Sequence, residues 1–220
     1  MISWWQHILS YFIAIRIDQK YSEYSGELDL SIVNGTIQLA TENAIYSYGK
    51  RYYNYEYCFH KLDISSYPIK KVLVLGYGLG SVSELLAPYF DRLDIDGIEI
   101  DQEIIDWEVE YGFEKEEFNI KITRADAINW MDKTEEKYDL ILLDLFIDNT
   151  VPADFETSDF LGKLAMKLNT KGLVLFNRLS FTQSLKDQTE TVFQTMKQVF
   201  PNSYQLPIKG NIMIVSSKNY

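Results

Sequence analysis

The sequence has a single cysteine, Cys58, in 220 residues, which excludes an internal disulfide and any cysteine-cluster metal site. Histidine is almost as scarce. With only His7 and His60, a histidine-rich metal centre is excluded as well, and no metal ligand is assigned. Basic residues are in deficit, 21 Lys and Arg against 32 Asp and Glu, which leaves a formal charge of −11. So acidic a surface repels phosphate backbones, and no nucleic-acid partner is expected. It suits a cationic ligand better, although a solvated acidic face explains it as simply. A membrane-length apolar run is also missing. Residues 1–17 are apolar, but Gln6, His7 and Arg16 interrupt them, and they fall short of the roughly 20 residues that span a bilayer. They lack the basic region and small-residue cleavage site of a secretory signal. The expectation is a reduced, cytoplasmic chain with no membrane span.

Within that segment Trp4, Trp5, Ile8, Leu9, Phe12 and Ile15 recur near helical spacing. A membrane-surface helix would usually carry several basic residues. The tryptophans are instead expected to pack on the body of the protein or on a second subunit, the latter giving a homodimer through the N-terminal region.

What is present is ordinary globular composition, 46% hydrophobic and 24% charged, enough for one medium domain or one with a small appendage. Two parts are expected. Residues 1–63 would hold the apolar segment and a small β-hairpin region, and residues 64–220 a larger nucleoside-binding unit. The hairpin signal is Asn34-Gly35 between two alternating segments, since Asn-Gly takes the positive φ angles of a two-residue type I′ turn. That turn pairs Ile32 with Ile37 and Leu30 with Leu39 on an apolar face, and Ser31 with Gln38 on the other. The tyrosine-rich stretch 46–59 shows no clear period and is left unplaced.

From residue 69 onward strands and helices alternate. Strands are expected at 72–75, 93–100, 119–123, 140–143 and 173–176, and helices at 81–89, 102–111, 127–131, 158–168 and 186–200. A last hairpin pairs 204–208 with 212–216 around Gly210-Asn211. Alternation of this kind gives a Rossmann-like, mostly parallel seven-stranded α/β sheet, closed by an antiparallel C-terminal hairpin and preceded by the small β region.

The chemistry is expected at the strand ends. Gly76, Gly78 and Gly80 follow the first strand and lead into a helix, a context in which glycines allow a tight turn and close ligand approach. Their spacing is G-x-G-x-G. A dinucleotide fingerprint would need glycine at position 81, which is serine, so a pyrophosphate ligand and a dehydrogenase are disfavoured. Glu99 and Asp101 end the second strand, where an acid can accept hydrogen bonds from ribose hydroxyls. Asp126 and Ala127 follow the third, placing a carboxylate where it can accept from an exocyclic amine. Asp144 ends the fourth. Singly, each acid reads as a helix cap or a solvated residue; their common register with four strand ends favours a nucleoside site.

Together with the hairpin, these residues resemble the spermidine synthase family within the class I S-adenosylmethionine-dependent methyltransferase fold. Residues 34–46 resemble its D-G-x-x-Q…E-x-x-Y block, with Asn34, Gly35, Gln38, Glu42 and Tyr46, and the glycines, Glu99-Ile100-Asp101, Asp126-Ala127 and residues 139–144 follow in family order. The resemblance implies aminopropyl transfer to an amine, as in polyamine biosynthesis. Glu99 would then bind ribose and Asp126 adenine, while Gln38 and Asp144 face the sulfonium arm and the reacting amine. Asp144 is the implied catalytic residue. Departures are also plain. Leu79 stands where the family's glycine loop has an aspartate tied to the aminopropyl ammonium. The acceptor motif D-S-S-D-P is here Asp144-Leu145-Phe146-Ile147-Asp148, with its second acid shifted and no adjacent proline, and Tyr46-Ser47-Tyr48 lacks the acid that commonly follows. The donor therefore stays open between S-adenosylmethionine and its decarboxylated form, and the acceptor is an amine or another small molecule. A small-molecule methyltransferase and a non-catalytic nucleoside-binding relative are the alternatives.

Overall fold

The computed structural model describes residues 3–218 and contains two sheets. The smaller one grows from the Asn-Gly hairpin. Strands β1 (Ile15–Ser22), β2 (Gly26–Val33), β3 (Thr36–Ala40) and β4 (Ile45–Ser47) lie antiparallel in chain order. Asn34 and Gly35 have φ of 51° and 75°, as a type I′ turn requires. Ile32 faces Ile37, Leu30 faces Leu39 and Ser31 faces Gln38, the expected register.

The larger sheet has the order β10-β11-β9-β8-β5-β6-β7. Its parallel strands are β5 (Lys71–Leu75), β6 (Asp94–Glu99), β7 (Asn119–Arg124), β8 (Tyr138–Leu143) and β9 (Leu168–Leu179). The hairpin β10 (Tyr204–Ile208) and β11 (Asn211–Ser217) joins antiparallel to β9. Residues 72–75 and 140–143 are buried throughout because both faces are covered. One face packs Val72, Val74, Leu140 and Leu142 against helices α2 (Tyr53–Leu62) and α3 (Ser81–Leu86). The other packs Leu73, Leu75, Ile141 and Leu143 against α5 (Ala127–Lys133), α6 (Ser158–Lys167) and α7 (Gln183–Val199). Helix α4 (Gln102–Tyr111) turns its buried Ile104 and Trp107 towards the small sheet. No helix among the described residues is long and apolar enough to cross a membrane.

Several local expectations are corrected. The N-terminal helix α1 covers only Trp4–Leu9, and Ile15 already belongs to β1. Trp4 is 76% and Trp5 53% exposed, so neither packs on the body; residues 1 and 2 lie outside the described part. The unplaced 46–59 stretch contains α2, whose buried Tyr55, Cys58 and Phe59 enter the core of the large sheet, although a division at 63 assigns them to the N-terminal part. Helix α3 stops at Leu86 rather than 89: Ala87 still has helical angles, φ −58° and ψ −33°, but Pro88 has no N–H to continue the helical bonds. The strand expected at 173–176 is longer, because β9 begins at Leu168, directly after α6, and is interrupted before Leu173. Tyr138 pairs with Leu168 and Leu140 with Leu173, leaving four residues out of register, with Lys171 at φ 64°.

Contacts at α3, at α4 and in the glycine loop help dock the small sheet on the large one. Ser81 Oγ accepts hydrogen bonds from the backbone N–H groups of Tyr48 (2.9 Å) and Gly49 (2.8 Å). Trp107 Nε1 donates to Asp18 at 2.9 Å. Leu79, in the glycine loop, is buried among Leu28, Leu30, Leu39, Ile104 and Trp107. A carboxylate at position 79 would be desolvated in an apolar cluster. Leu79→Asp is therefore expected to cost about 3 kcal/mol or more, read as a lowered midpoint in urea denaturation. A near-neutral result would show that this cluster does not hold the two sheets together.

Candidate active site

From β5 the chain steps outward through β6 and β7, then returns to β8 on the other side of β5. Such a reversal parts the loops at the carboxyl ends of the strands and leaves a crevice. Here it is a cavity of about 300 Å³ lined by Gly76 and Gly78 after β5, Glu99 and Asp101 after β6, Asp126 and Ala127 after β7, and Asp144 after β8. Tyr24, Ser25 and Tyr46 of the small sheet border it, as do Pro152, Asp154 and Phe155. Glu156, next to Phe155, pairs at 2.6 Å with the buried Arg178 of β9 and so ties that loop to the sheet. Gln38 and Gly80 do not line the cavity. Strand alternation puts Gln38 on the face opposite buried Leu39. Gly80 is the N-cap of α3, at φ 77°, against Tyr77 and Phe113.

The glycine loop is held tightly. Gly76 and Tyr77 donate their N–H groups to Ile98 O at 2.9 and 3.1 Å. Gly76 has φ 81°, and a Cβ there would overlap the carbonyl oxygen of Asp144. Only glycine lets the loops from β5 and β8 approach this closely.

Glu99 is buried. Its Oε2 accepts from Gly78 N at 3.1 Å, and its Oε1 from Ile100 N at 2.9 Å and Asp101 N at 3.2 Å. Burial raises its pKa, and the three N–H groups oppose that rise. The turn-capping role is thus real, and Oε2, with a single partner, keeps acceptor capacity towards the cavity. Asp101 caps α4 through Oδ1, which accepts from Glu103 N at 3.0 Å, while its buried Oδ2 has no partner among the described residues. Asp126 caps α5, accepting from Asn129 N at 2.9 Å.

Asp144 continues the line of β8, its N–H donating to Leu75 O at 2.9 Å. Asn177 Nδ2 donates to its Oδ1 at 2.9 Å, and Tyr52 also hydrogen-bonds to it. Asn177 is fully buried and oriented by Asn211, whose Nδ2 donates to Asn177 Oδ1 at 2.8 Å. Burial pushes the Asp144 carboxyl up to about 6, opposed by its bonds to Asn177 and Tyr52 and reinforced by the nearby Glu99 charge. A carboxylate poised there can take a proton near neutral pH. The shifted second acid, Asp148, behaves differently. It sits at φ 52° and accepts from Thr41 Oγ1 (2.6 Å) and Asn43 Nδ2 (2.9 Å), which fastens the loop after β8 to the small sheet.

Sequence reasoning missed Asn177, Asn211 and Tyr52. Asn177 carried a usable signal, a polar residue directly after the apolar run 173–176, the pattern that marked Asp144 after 140–143. Asn211 and Tyr52 carried none, because they meet Asn177 and Asp144 only through sheet order and the docking of α2. The tight loop gives a test. Gly76→Ala adds both backbone strain and overlap with Asp144, and is expected to destabilise by about 1–3 kcal/mol, measured by urea unfolding. An unchanged midpoint would contradict the close approach of the β5 and β8 loops.

Comparison with known proteins follows the same lines. The family model of the spermine/spermidine synthase domain matches residues 54–215. The chain is 31% identical over 134 residues to a probable polyamine aminopropyl transferase of Bifidobacterium longum, covering 61% of this chain and 30% of that protein. It is also 31% identical over 156 residues to the polyamine aminopropyltransferase of Saccharolobus solfataricus, covering 66% and 51%. The chain thus spans about half or less of the length of these curated relatives. Among solved structures, a probable spermidine synthase from Corynebacterium glutamicum superposes with a TM-score of 0.75 at 18% identity, over 93% of this chain and 80% of that one, and shows the shared fold. With most of its larger sheet matched by the family model, the chain belongs to the spermine/spermidine synthase family.

Proposed function

We propose that this protein transfers an aminopropyl group from decarboxylated S-adenosylmethionine to a small amine, the reaction type of polyamine biosynthesis. The observation that carries this reading is the position of Asp144, at a strand end beside Gly76 and on the same cavity as Glu99, with its own polar support from Asn177 and Tyr52. In our reading Glu99 and Asp101 hold the ribose and Asp126 meets the adenine, with Gly76 and Gly78 allowing close approach.

The reaction is a displacement. The amine nitrogen's lone pair attacks the carbon bonded to positive sulfur, a C–N bond forms, the C–S bond breaks, and its electron pair leaves with sulfur as a neutral thioether. An amine with a pKa of about 10.4 must first lose a proton, at roughly 4–5 kcal/mol at pH 7. Asp144 accepts that proton, directly or through water. Holding donor and amine in line supplies much of the remaining rate.

A second reading is methyl transfer from intact S-adenosylmethionine, favoured by one observation: Leu79 replaces the family's acid and is buried in the small-sheet cluster, so that position offers no partner to an aminopropyl ammonium. Analysis of the products formed with each donor separates the two. The exposed Trp4 and Trp5 support a homodimer through the N-terminal segment as part of the same proposal.

Two substitutions test the roles. With Asp144→Asn, donor affinity should be retained while turnover falls by roughly 10²–10⁴, followed as release of the nucleoside thioether across a panel of amines and both donors. A variant within a few-fold of wild type would show that Asp144 is not the base. If the wild-type protein turns over no amine with either donor, aminopropyl transfer is the wrong assignment. For Glu99→Gln, calorimetry should show nucleoside affinity lower by about ten- to a hundredfold. A lowered melting temperature with unchanged affinity would limit Glu99 to capping the loop.

A further inference from the structure

Asn177 and Arg178 follow each other in β9, and strand alternation sends their side chains to opposite faces of the large sheet. Asn177 reaches Asp144 on one face. On the other, Arg178 lies beside Phe176, its guanidinium 5.2 Å from the ring centroid, and its Nη2 meets Glu156 Oε1 at 2.6 Å. Arg178 is 3% exposed, and its Nε and Nη1 are buried with no partner among the described residues. Burial pushes its pKa down, and the Glu156 charge opposes that shift.

Such a pair is a poor device for stability. Desolvation of the two groups offsets their attraction, and unmatched buried donors add to the cost. Apolar side chains of similar volume would fill the same space as stably. What the pair does fix is position. Glu156 closes the short turn Ala153–Glu156, and Pro152, Asp154 and Phe155 just before it line the nucleoside cavity. Other polar contacts of this segment are local, Phe155 N to Pro152 O at 3.1 Å and Thr157 Oγ1 to Asp154 O at 3.0 Å. Among the described residues, Glu156 supplies the polar tie from this wall to the sheet.

We propose that Arg178 is a positioning residue for the nucleoside: through Glu156 it sets the cavity wall of Pro152, Asp154 and Phe155, and it contributes affinity rather than stability. The inference rests on the reading of this cavity as a nucleoside site and names two residues, off the cavity lining, that shape it. One strand end then organises both sides of the site, Asn177 supporting Asp144 and Arg178 supporting the wall. A wall displaced by about 1 Å weakens every contact a ligand makes on it.

The test separates affinity from stability. Methylthioadenosine is titrated calorimetrically into wild type, Glu156→Gln and the double variant Arg178→Met/Glu156→Leu, and each melting midpoint is recorded without ligand. The double variant removes the pair and its desolvation together, so it should melt at or above the wild-type midpoint and bind the nucleoside roughly tenfold more weakly. Glu156→Gln keeps an acceptor in place for Arg178 but leaves a buried charge uncompensated. It should melt lower and bind within about threefold of wild type. A double variant that binds as wild type does overturns the inference, and so does one that melts well below it, which would make the pair a structural support. Equal loss of affinity in both variants also overturns it, since position would then not be what the pair supplies. Failure of wild type to bind methylthioadenosine instead removes the nucleoside reading, and this inference with it.

Discussion

A single buried carboxylate, that of Glu99, receives three backbone N–H groups and in doing so fixes two turns at once. One bond reaches the glycine loop at Gly78 and two reach the turn into α4 at Ile100 and Asp101. The carboxylate pays for desolvation with those bonds. Around it the loops leaving β5 and β8 close together, because Gly76 has no side chain to keep the Asp144 backbone away. Glu99 and Asp144 consequently line one cavity, and each charge disfavours ionisation of the other. A positively charged sulfur placed in that cavity would relieve both. On the proposed function, the contacts that build this acidic crevice also suit it to a cationic donor.

The small sheet explains two departures from familiar patterns. Serine at position 81 breaks the dinucleotide spacing, and its Oγ is spent on the backbone of Tyr48 and Gly49. Leucine at position 79 replaces an acid of the family, and it joins Leu28, Leu30, Leu39 and Trp107 between the two sheets. Both positions of the loop have become docking contacts. The sheet then brings Tyr46 and Ser25 to the rim of the cavity, where the Tyr46 hydroxyl donates to Ser25 Oγ at 3.1 Å. It also receives Asp148 through Thr41 and Asn43, which fastens the loop after β8, whose Phe146 and Ile147 line the cavity.

What the sequence made legible follows from local rules. The Asn-Gly pair dictates its own turn, and the apolar runs at 72–75 and 140–143 dictate buried strands, so the acids and glycines that follow them fall at one edge of the sheet. Helix α4 keeps its expected bounds, with Asp101 as its cap. The misses come from interactions between distant segments. Tyr55, Cys58 and Phe59 are the buried face of α2, but Tyr53 and Tyr57 stack with each other on the same helix, and aromatics on two faces hid the period. Gln38 was placed by motif, and the two-residue alternation of β3 turns it away from the cavity. Asp148 looked like a displaced acceptor acid; only its folded environment shows that neutral donors have taken its lone pairs. Asn177 was visible as a strand-end residue, yet its bond to Asp144 depends on β8 and β9 being neighbours.

The central claim is that Asp144, tuned by burial and by Asn177, takes the proton from the reacting amine. The pH dependence of turnover at saturating donor tests it most directly, with wild type beside Asn177→Leu. In wild type the rate should climb with unit logarithmic slope from pH 5 and level off above an apparent pKa of about 6. Because the Asn177 N–H stabilises the ionised carboxylate, its removal should move that limb to higher pH. A rate that is flat from about pH 5 to 7.5, or a limb that stays in place when Asn177 is replaced, would contradict the assignment of Asp144 as the base.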